Sequence, residues 1–467
     1  MASACAASPN PASAPDHFTL KGIGMKIGSR RVSLRNTHKY SWVSLGVCWL
    51  IWVLNAYDRE IILRLGPTIS EHFDFSPDTW GAIASLIMIS LAVLAIPGST
   101  LSDRYGGGWK RARFQVPLVI GYTALSFVSG LKAVSSHAAA FIALRVGVNL
   151  GAGWGEPVGV SNTAEWWPKE RRGFALGAHH TGYPVGSLLS GLAAAVVIAA
   201  FGPENWSYAL FLGLIVAVPL MIFWGRYSTA ERISTLYEDI AAKGLTPPEG
   251  DEARAASGGK GLIGACFKIR SINLTALTTL LTQVVYMGIN VVLPAYLYNV
   301  VGLSLAESAG LSVVFAFTGV LGQILWPTLS DVIGRKSTIM ICGIWMAISV
   351  ACFYFATSSV LVVVIQLAFG VVANAVWPIY YAAASDAAPE GAVSTANGII
   401  TTAMFIGGGI APLLMGRLIA VGGGWEAHRG YIICFFVTSA CALAGALLQI
   451  FLRRPAIEEE EPVLASS

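Results

Sequence analysis

Apolar residues run through this chain in long, nearly uncharged blocks, and short segments between the blocks collect its charges, prolines and glycines. Twelve blocks of roughly 20 residues can be marked, starting near Ser41, Trp80, Phe114, Ala138, Gly173, Tyr208, Ile272, Ser308, Ser337, Ser358, Val393 and Gly430. A helix of that length crosses about 30 Å of hydrocarbon. The runs are continuously apolar and lack the alternation of a barrel strand. A backbone in lipid must satisfy its own hydrogen bonds, so the pattern predicts an all-α membrane protein of twelve transmembrane helices in two six-helix bundles.

Composition agrees. A hydrophobic share of 55%, a charged share of 12% and a mean hydropathy of +0.64 leave too little polar surface for a soluble chain of 467 residues. The net charge of +4 is placed by topology. Arg30, Arg31, Arg35 and Lys39 precede the first block; Lys110, Arg111 and Arg113, then Lys169, Arg171 and Arg172, then Arg335 and Lys336, and finally Arg453 and Arg454 fall in alternate connections. Short loops rich in Lys and Arg stay in the cytoplasm, which predicts cytoplasmic termini and a plasma-membrane location, the inner membrane in a bacterium. No basic cluster interleaved with aromatics points to nucleic acid. The first 40 residues lack the apolar core of a signal peptide. Seven scattered cysteines have no metal-ligand spacing and read as small apolar fillers. No cofactor or metal is expected.

Two stretches echo each other half a chain apart. Leu101-Ser102-Asp103-Arg104-Tyr105-Gly106, followed by Lys110-Arg111, matches Leu329-Ser330-Asp331-Val332-Ile333-Gly334-Arg335-Lys336. A weaker echo links residues 168–177 with 389–398. Such duplication marks a membrane unit written twice, the usual plan of a transporter. The boundaries follow: a cytoplasmic tail over 1–40, a six-helix bundle over 41–226, a polar linker over 227–270, a second bundle over 271–452 and a tail over 453–467. The linker is expected to be partly helical, from Ala230 to Lys243.

These residues resemble the major facilitator superfamily, from Ser41 to Leu452. The loop after the second block is similar to that superfamily's signature, with Ser99 and Pro327 where the leading glycine is usual and Gly107, Gly108 and Trp109 interrupting the approach to Lys110. The resemblance implies a charge latch of Asp103, Arg104, Asp331 and Arg335 at the cytoplasmic closure between the halves. Asn55-Ala56-Tyr57-Asp58-Arg59, Arg145, and Trp166-Trp167-Pro168 resemble the branch of anion:cation symporters. That branch usually places a proton-carrying glutamate seven residues after the arginine, where this chain has Ala152; Glu156 sits one turn further on, on the same helix face.

Ionisable residues inside a spanning helix cost on the order of 2.5 to 3.5 kcal/mol and generally face a cavity or a partner. Asp58 can pair with Arg145 across the first and fourth helices, freeing Arg59 to receive an anion through its planar fork. An alternative reading puts Asp58, Arg59 and Glu60 at the outer interface, snorkelling into water, and for Glu60 that plainer reading is preferred. Glu156, His179 and His180 lie deeper and can take and release protons. The second half offers Gln283, Tyr286 and Asn290 on one face of the seventh helix, Asn374, Trp377 and Tyr381 on the tenth, and Asn397 on the eleventh. Interhelical polar glue accounts for such residues equally well.

The expected function is proton-coupled uptake of a small organic anion by alternating access. Arg59, Tyr57, Arg145 and the second-half residues would bind substrate, and Asp58, Glu156, His179 and His180 would carry protons. The partners are the anion, protons and the bilayer, with the chain working as a monomer. A drug or organophosphate exchanger is the alternative, although the seventh helix holds no arginine opposite Arg59; a membrane receptor is a more distant one. Enzyme activity is not expected, since Gly106-Gly107-Gly108 lacks the context of a phosphate loop.

Overall fold

Each apolar block folds as a helix. The computed structural model describes residues 34–248, 262–356, 358–389 and 393–452; the side chains of Asp103, Arg104 and Asp331 lie outside the described set. The long helices are α1 (Lys39–Arg64), α2 (Pro77–Tyr105), α3 (Trp109–Gly130), α4 (Ala138–Glu165), α5 (Phe174–Phe201), α6 (Pro203–Tyr227), α7 (Arg270–Asn299), α8 (Leu305–Ser330), α9 (Arg335–Phe355), α10 (Ser359–Ala387), α11 (Val393–Val421) and α12 (His428–Phe451). No strand occurs among the described residues. All but α3 are apolar enough to cross a membrane by length and composition. The exception starts earlier than its apolar block, so Lys110, Arg111 and Arg113 fall in its first turns. Between α6 and α7 the linker helix spans Ala230–Ala242.

The packing repeats with an offset of six helices. In the first half α1 packs on α5, α2 on α4 and α3 on α6; in the second, α7 packs on α11, α8 on α10 and α9 on α12. Glycines mark matching crossings: a methyl at Gly153 on α4 would collide with the Leu91 carbonyl of α2, and one at Gly370 on α10 with the Phe315 carbonyl of α8. Small residues let backbones approach closely where lipid supplies no hydrophobic drive.

Between the halves, α2 packs on α11 and α5 on α8, again a pair related by the six-helix offset. These contacts concentrate at the end away from the linker. There Gly81 and Gly416 bring α2 and α11 backbone to backbone, and the Ser85 hydroxyl donates to the Gly409 carbonyl. Arg417 pairs with Asp78 at 2.9 Å, and the Trp425 indole donates to the Phe75 carbonyl at 2.9 Å. The side-chain hydrogen bonds seen to join the halves lie at this far end or between Arg64, the last residue of α1, and Asn290 of α7.

At the linker end each half instead ties its own elements. Arg111 donates to Ser102 at 2.8 Å and pairs with Glu165 at 3.0 Å; in the second half Arg335 donates to Ser330 at 2.5 Å and meets Asp386 at 3.4 Å. The repeated loop motif therefore fastens the loop after the second helix of each half to the end of that half's fourth helix. Among the proposed latch residues, Arg335 is placed in this way; Asp103, Arg104 and Asp331 are not described.

Candidate functional site

The charged stretch of α1 is interior. After Leu65 the chain continues into a second helix, Gly66–Phe73, and residues 51–70 are all buried, so the charges stand well short of the far end. Asp58, Arg59, Glu60 and Arg64 are each no more than 4% exposed. The interfacial, snorkelling reading of this stretch is thus corrected, for Glu60 above all. Ionised groups in such a setting need partners, and all four have them.

Successive helical residues point about 100° apart, which sends the charges to different neighbours. Asp58 faces α3 and α4. Ser126 donates to its Oδ1 at 2.7 Å, Arg145 donates to the Ser126 hydroxyl at 2.9 Å, and a second Arg145 nitrogen donates to the Asp58 backbone carbonyl. Asp58 and Arg145 are therefore bridged through a serine and the main chain rather than paired directly. The second carboxylate oxygen of Asp58 has no hydrogen-bond partner among the described residues.

Arg59 points into the next sector. Its guanidinium pairs with Glu156 on α4 at 3.0 Å, reaches the Asn55 carbonyl oxygen at 3.4 Å, and lies 5.4 Å from the ring centre of Tyr183 on α5. Asn55 is held in turn by a bond from its amide to the Ala152 carbonyl at 2.9 Å. Glu60 completes the fan: Tyr183 donates to its Oε1 at 2.6 Å, and Arg64 to its Oε2 at 2.6 Å. Arg64 also donates to Ser187 at 2.9 Å and to the Asn290 side chain on α7, with its other nitrogen 3.5 Å from the Asn290 carbonyl. A network whose Glu60, Arg64, Ser187 and Asn290 are all buried thus joins α1 and α5 to α7, across the two halves. Tyr183 belongs to both clusters, its ring on Arg59 and its hydroxyl on Glu60.

The second half supplies an aromatic wall. Tyr286 on α7 stands edge-on to Trp377 at 6.0 Å and to Phe315 at 5.9 Å, and lies 6.4 Å from Tyr183. Tyr381 shares a hydrogen bond with Thr401 at 3.0 Å. Helix α10 breaks next to this wall, between Ala373 and Val376, and the break carries Asn374. Both amide atoms of Asn374 and the hydroxyl of Tyr286 are buried and make no hydrogen bond within 3.5 Å among the described residues. Broken helices and unpartnered polar atoms opposite a buried ion pair are the features a transporter presents to its cargo.

The remaining sequence-derived candidates lie elsewhere. Tyr57 is turned away from Arg59: its hydroxyl donates to the Ala209 carbonyl at 2.6 Å, and its ring lines an apolar groove between α1, α5 and α6. His179 stacks on Trp52 at 5.6 Å and bonds Thr163 at 3.1 Å, packed near Gly159 rather than beside Glu156. His180 bonds the Leu176 carbonyl of its own helix at 2.7 Å. Gln283 packs against Gly408 of α11, and Asn397 accepts from Ser385 at 3.2 Å. Asn290 serves Arg64. Tyr183, Arg64, Ser126 and Ser187 were not singled out by sequence reasoning, and Glu60 was set aside as interfacial. Arg64 alone carried a signal, an arginine one helical turn beyond Glu60.

Comparison with known proteins decides the family. The model of the Major Facilitator Superfamily matches twice, over residues 48–309 and again over 275–466, so the two halves resemble one template. The chain belongs to the major facilitator superfamily. It is a multi-pass membrane transport protein and not an enzyme. Similar relatives include a hexuronate transporter of Bacillus subtilis, 22% identical over 62% of this chain and 64% of that protein, so the match spans just under two thirds of that relative's length. A sulfoacetate transporter described as probable in Cupriavidus necator is 22% identical over 90% of this chain and 95% of its own. A cis,cis-muconate transport protein of Acinetobacter baylyi is 24% identical over 90% and 97%. Among solved structures, a D-xylose-proton symporter superposes with a TM-score of 0.66 at 16% identity, covering 88% of this chain and 97% of that one, which fixes the fold.

Proposed function

We propose that this transporter carries a small organic carboxylate together with protons by alternating access, with Arg59 as the anion receptor and Glu156 as the proton carrier. The observation that carries the reading is the Arg59–Glu156 pair, its arginine buried and its glutamate partly exposed, beside the Tyr183 ring that lies 6.4 Å from Tyr286 of the other half. The guanidinium fork can hold one carboxylate well, and in the empty carrier Glu156 takes that place. Protonating Glu156 cancels its attraction for Arg59 and frees the fork for the substrate carboxylate. Proton and anion then bind together by a shared partner. The exchange leaves the charge of the site unchanged, because one carboxylate replaces another on the same cation. A second proton on Asp58, whose Oδ2 is unpartnered, would make the loaded carrier positive, and an inside-negative potential would then draw it inward.

Names of similar proteins support the cargo class, since hexuronate, sulfoacetate and muconate are all small organic acids. The body of such an acid would lie against Tyr286, Trp377 and Tyr381, and the unpartnered Asn374 amide would meet its polar substituents. One chain encloses every residue invoked, which supports a monomeric unit. With basic connections and termini cytoplasmic, the closed far end is the outer one, and the arrangement is inward-facing.

Proteoliposomes offered labelled hexuronate, muconate and hydroxybenzoate under an inward proton gradient should accumulate at least one of them. Collapsing the gradient should return uptake to equilibration. Uptake of none, or uptake indifferent to the gradient, removes the symport reading.

A further inference from the structure

The last two turns of α6 and the start of the linker helix enclose a groove of about 450 Å³, lined by Pro219, Ile222, Phe223, Arg226, Tyr227 and Arg232. It lies where a membrane-spanning helix reaches water. Its inner wall is exposed and apolar, with Ile222 and Phe223 each nearly half exposed. Its rim is cationic. Arg232 is held in place: its guanidinium lies 4.2 Å from the Tyr227 ring centre and 5.9 Å from that of Tyr40, and one nitrogen donates to the Tyr227 carbonyl at 2.6 Å. Arg226 is exposed in the last turn of α6. Lys39 adds a third cation beside Tyr40. None of the three has a carboxylate partner among the described residues.

We propose that this groove binds an anionic glycerophospholipid. Its phosphodiester would lie between Arg226 and Arg232, and an acyl chain would run along Phe223, Ile222 and Pro219. The pairing follows from charge complementarity at the membrane boundary. Unpaired arginines whose planar forks suit a phosphate stand directly above an apolar surface that only lipid can cover. Stacking on two tyrosines orders Arg232 before the lipid arrives, which lowers the conformational cost of binding. The headgroup would also tie α6 to the linker helix, which is otherwise seated by Ile233, Leu236, Ile240 and the bond from Tyr237 to the Glu165 carbonyl at 3.0 Å. This assignment does not rest on the carboxylate reading above.

The test uses the full-length protein in mixed vesicles containing photoactivatable phosphatidylglycerol or, in parallel, photoactivatable phosphatidylcholine, each with the reactive group on an acyl chain. The expected result is crosslinking of the α6 peptide around residues 219–232 at least about tenfold stronger with the anionic lipid. An R226Q/R232Q protein should lose that preference, while a K132Q control at the opposite end retains it. Inorganic phosphate at millimolar concentration should not compete. Equal labelling by the two lipids in the unmodified protein, an example that needs no variant to fold, would overturn the proposal. So would an undiminished preference in R226Q/R232Q, or displacement by inorganic phosphate, which would reveal a site for a bare anion.

Discussion

An Arg59→Ala protein is expected to insert and remain monodisperse yet lose carboxylate uptake by about 30-fold to several thousand-fold, the range that corresponds to removing one side of a buried, hydrogen-bonded charge pair. Among the described residues Arg59 is the only cation that reaches both Glu156 and the Tyr183 ring, so none of these neighbours can substitute for it. Arg145 is committed to Ser126 and the Asp58 backbone, and Arg64 to Glu60, Ser187 and Asn290. An Arg59→Lys protein should fall between the two, because an ammonium keeps the charge but loses the fork. Initial uptake rates against substrate concentration decide it: the alanine protein should fail at saturating substrate as well as at low substrate. Undiminished uptake would remove Arg59 from the site.

Arg64→Leu should have the largest effect on stability. It leaves Glu60 fully buried without its cation, a change that costs on the order of 3 to 5 kcal/mol, and it removes the bonds from α1 to Asn290 on α7. Thermal denaturation should therefore shift downward. Spin labels at Ser136 and Ser358, exposed at the far ends of the two halves, should report a second, longer distance. An E60Q/R64M protein should recover much of the stability, since both charges have gone, but not the far-end closure. A narrow, unchanged distance in the single variant would show that α2 and α11 alone hold that end shut.

The scaffold was legible in the sequence because the bilayer imposes it. Runs of about 20 apolar residues can only be spanning helices, and the echo of residues 101–111 in 329–336 exposed the duplication that the helix packing repeats. The linker helix also lay where its polar, helix-forming stretch placed it. Within the site, Arg59 and Glu156 could be found because charge inside oil is rare, and their helices were known to run in opposite directions.

What escaped was direction and distance. Tyr57 and Arg59 are two positions apart, which on a helix is about 200° of rotation, so one faces the apolar groove while the other faces the ion pair. Glu60 read as interfacial because it lies late in the first helix; the buried helix after Leu65 and the contact of Arg64 with Asn290, 226 positions away, left no trace in local spacing. Tyr183 sits in an apolar helix among glycine and proline, with nothing to distinguish it from packing. His179 fell the other way: an imidazole near a carboxylate in sequence depth proved to be stacked on Trp52.

Competition between Glu156 and the substrate for Arg59 can be read from binding to the purified protein. Calorimetric affinity for a transported carboxylate, followed from pH 5 to pH 8, should weaken as pH rises, by at most about tenfold per pH unit for one linked proton. In Glu156→Gln the competitor is permanently neutral, so the pH dependence should fall by the one proton linked to Glu156, and at pH 8 the variant should bind the carboxylate more tightly than the unmodified protein does. Loss of binding in that variant, or a pH dependence identical to the parent's, would show that Glu156 does not compete with the substrate for Arg59.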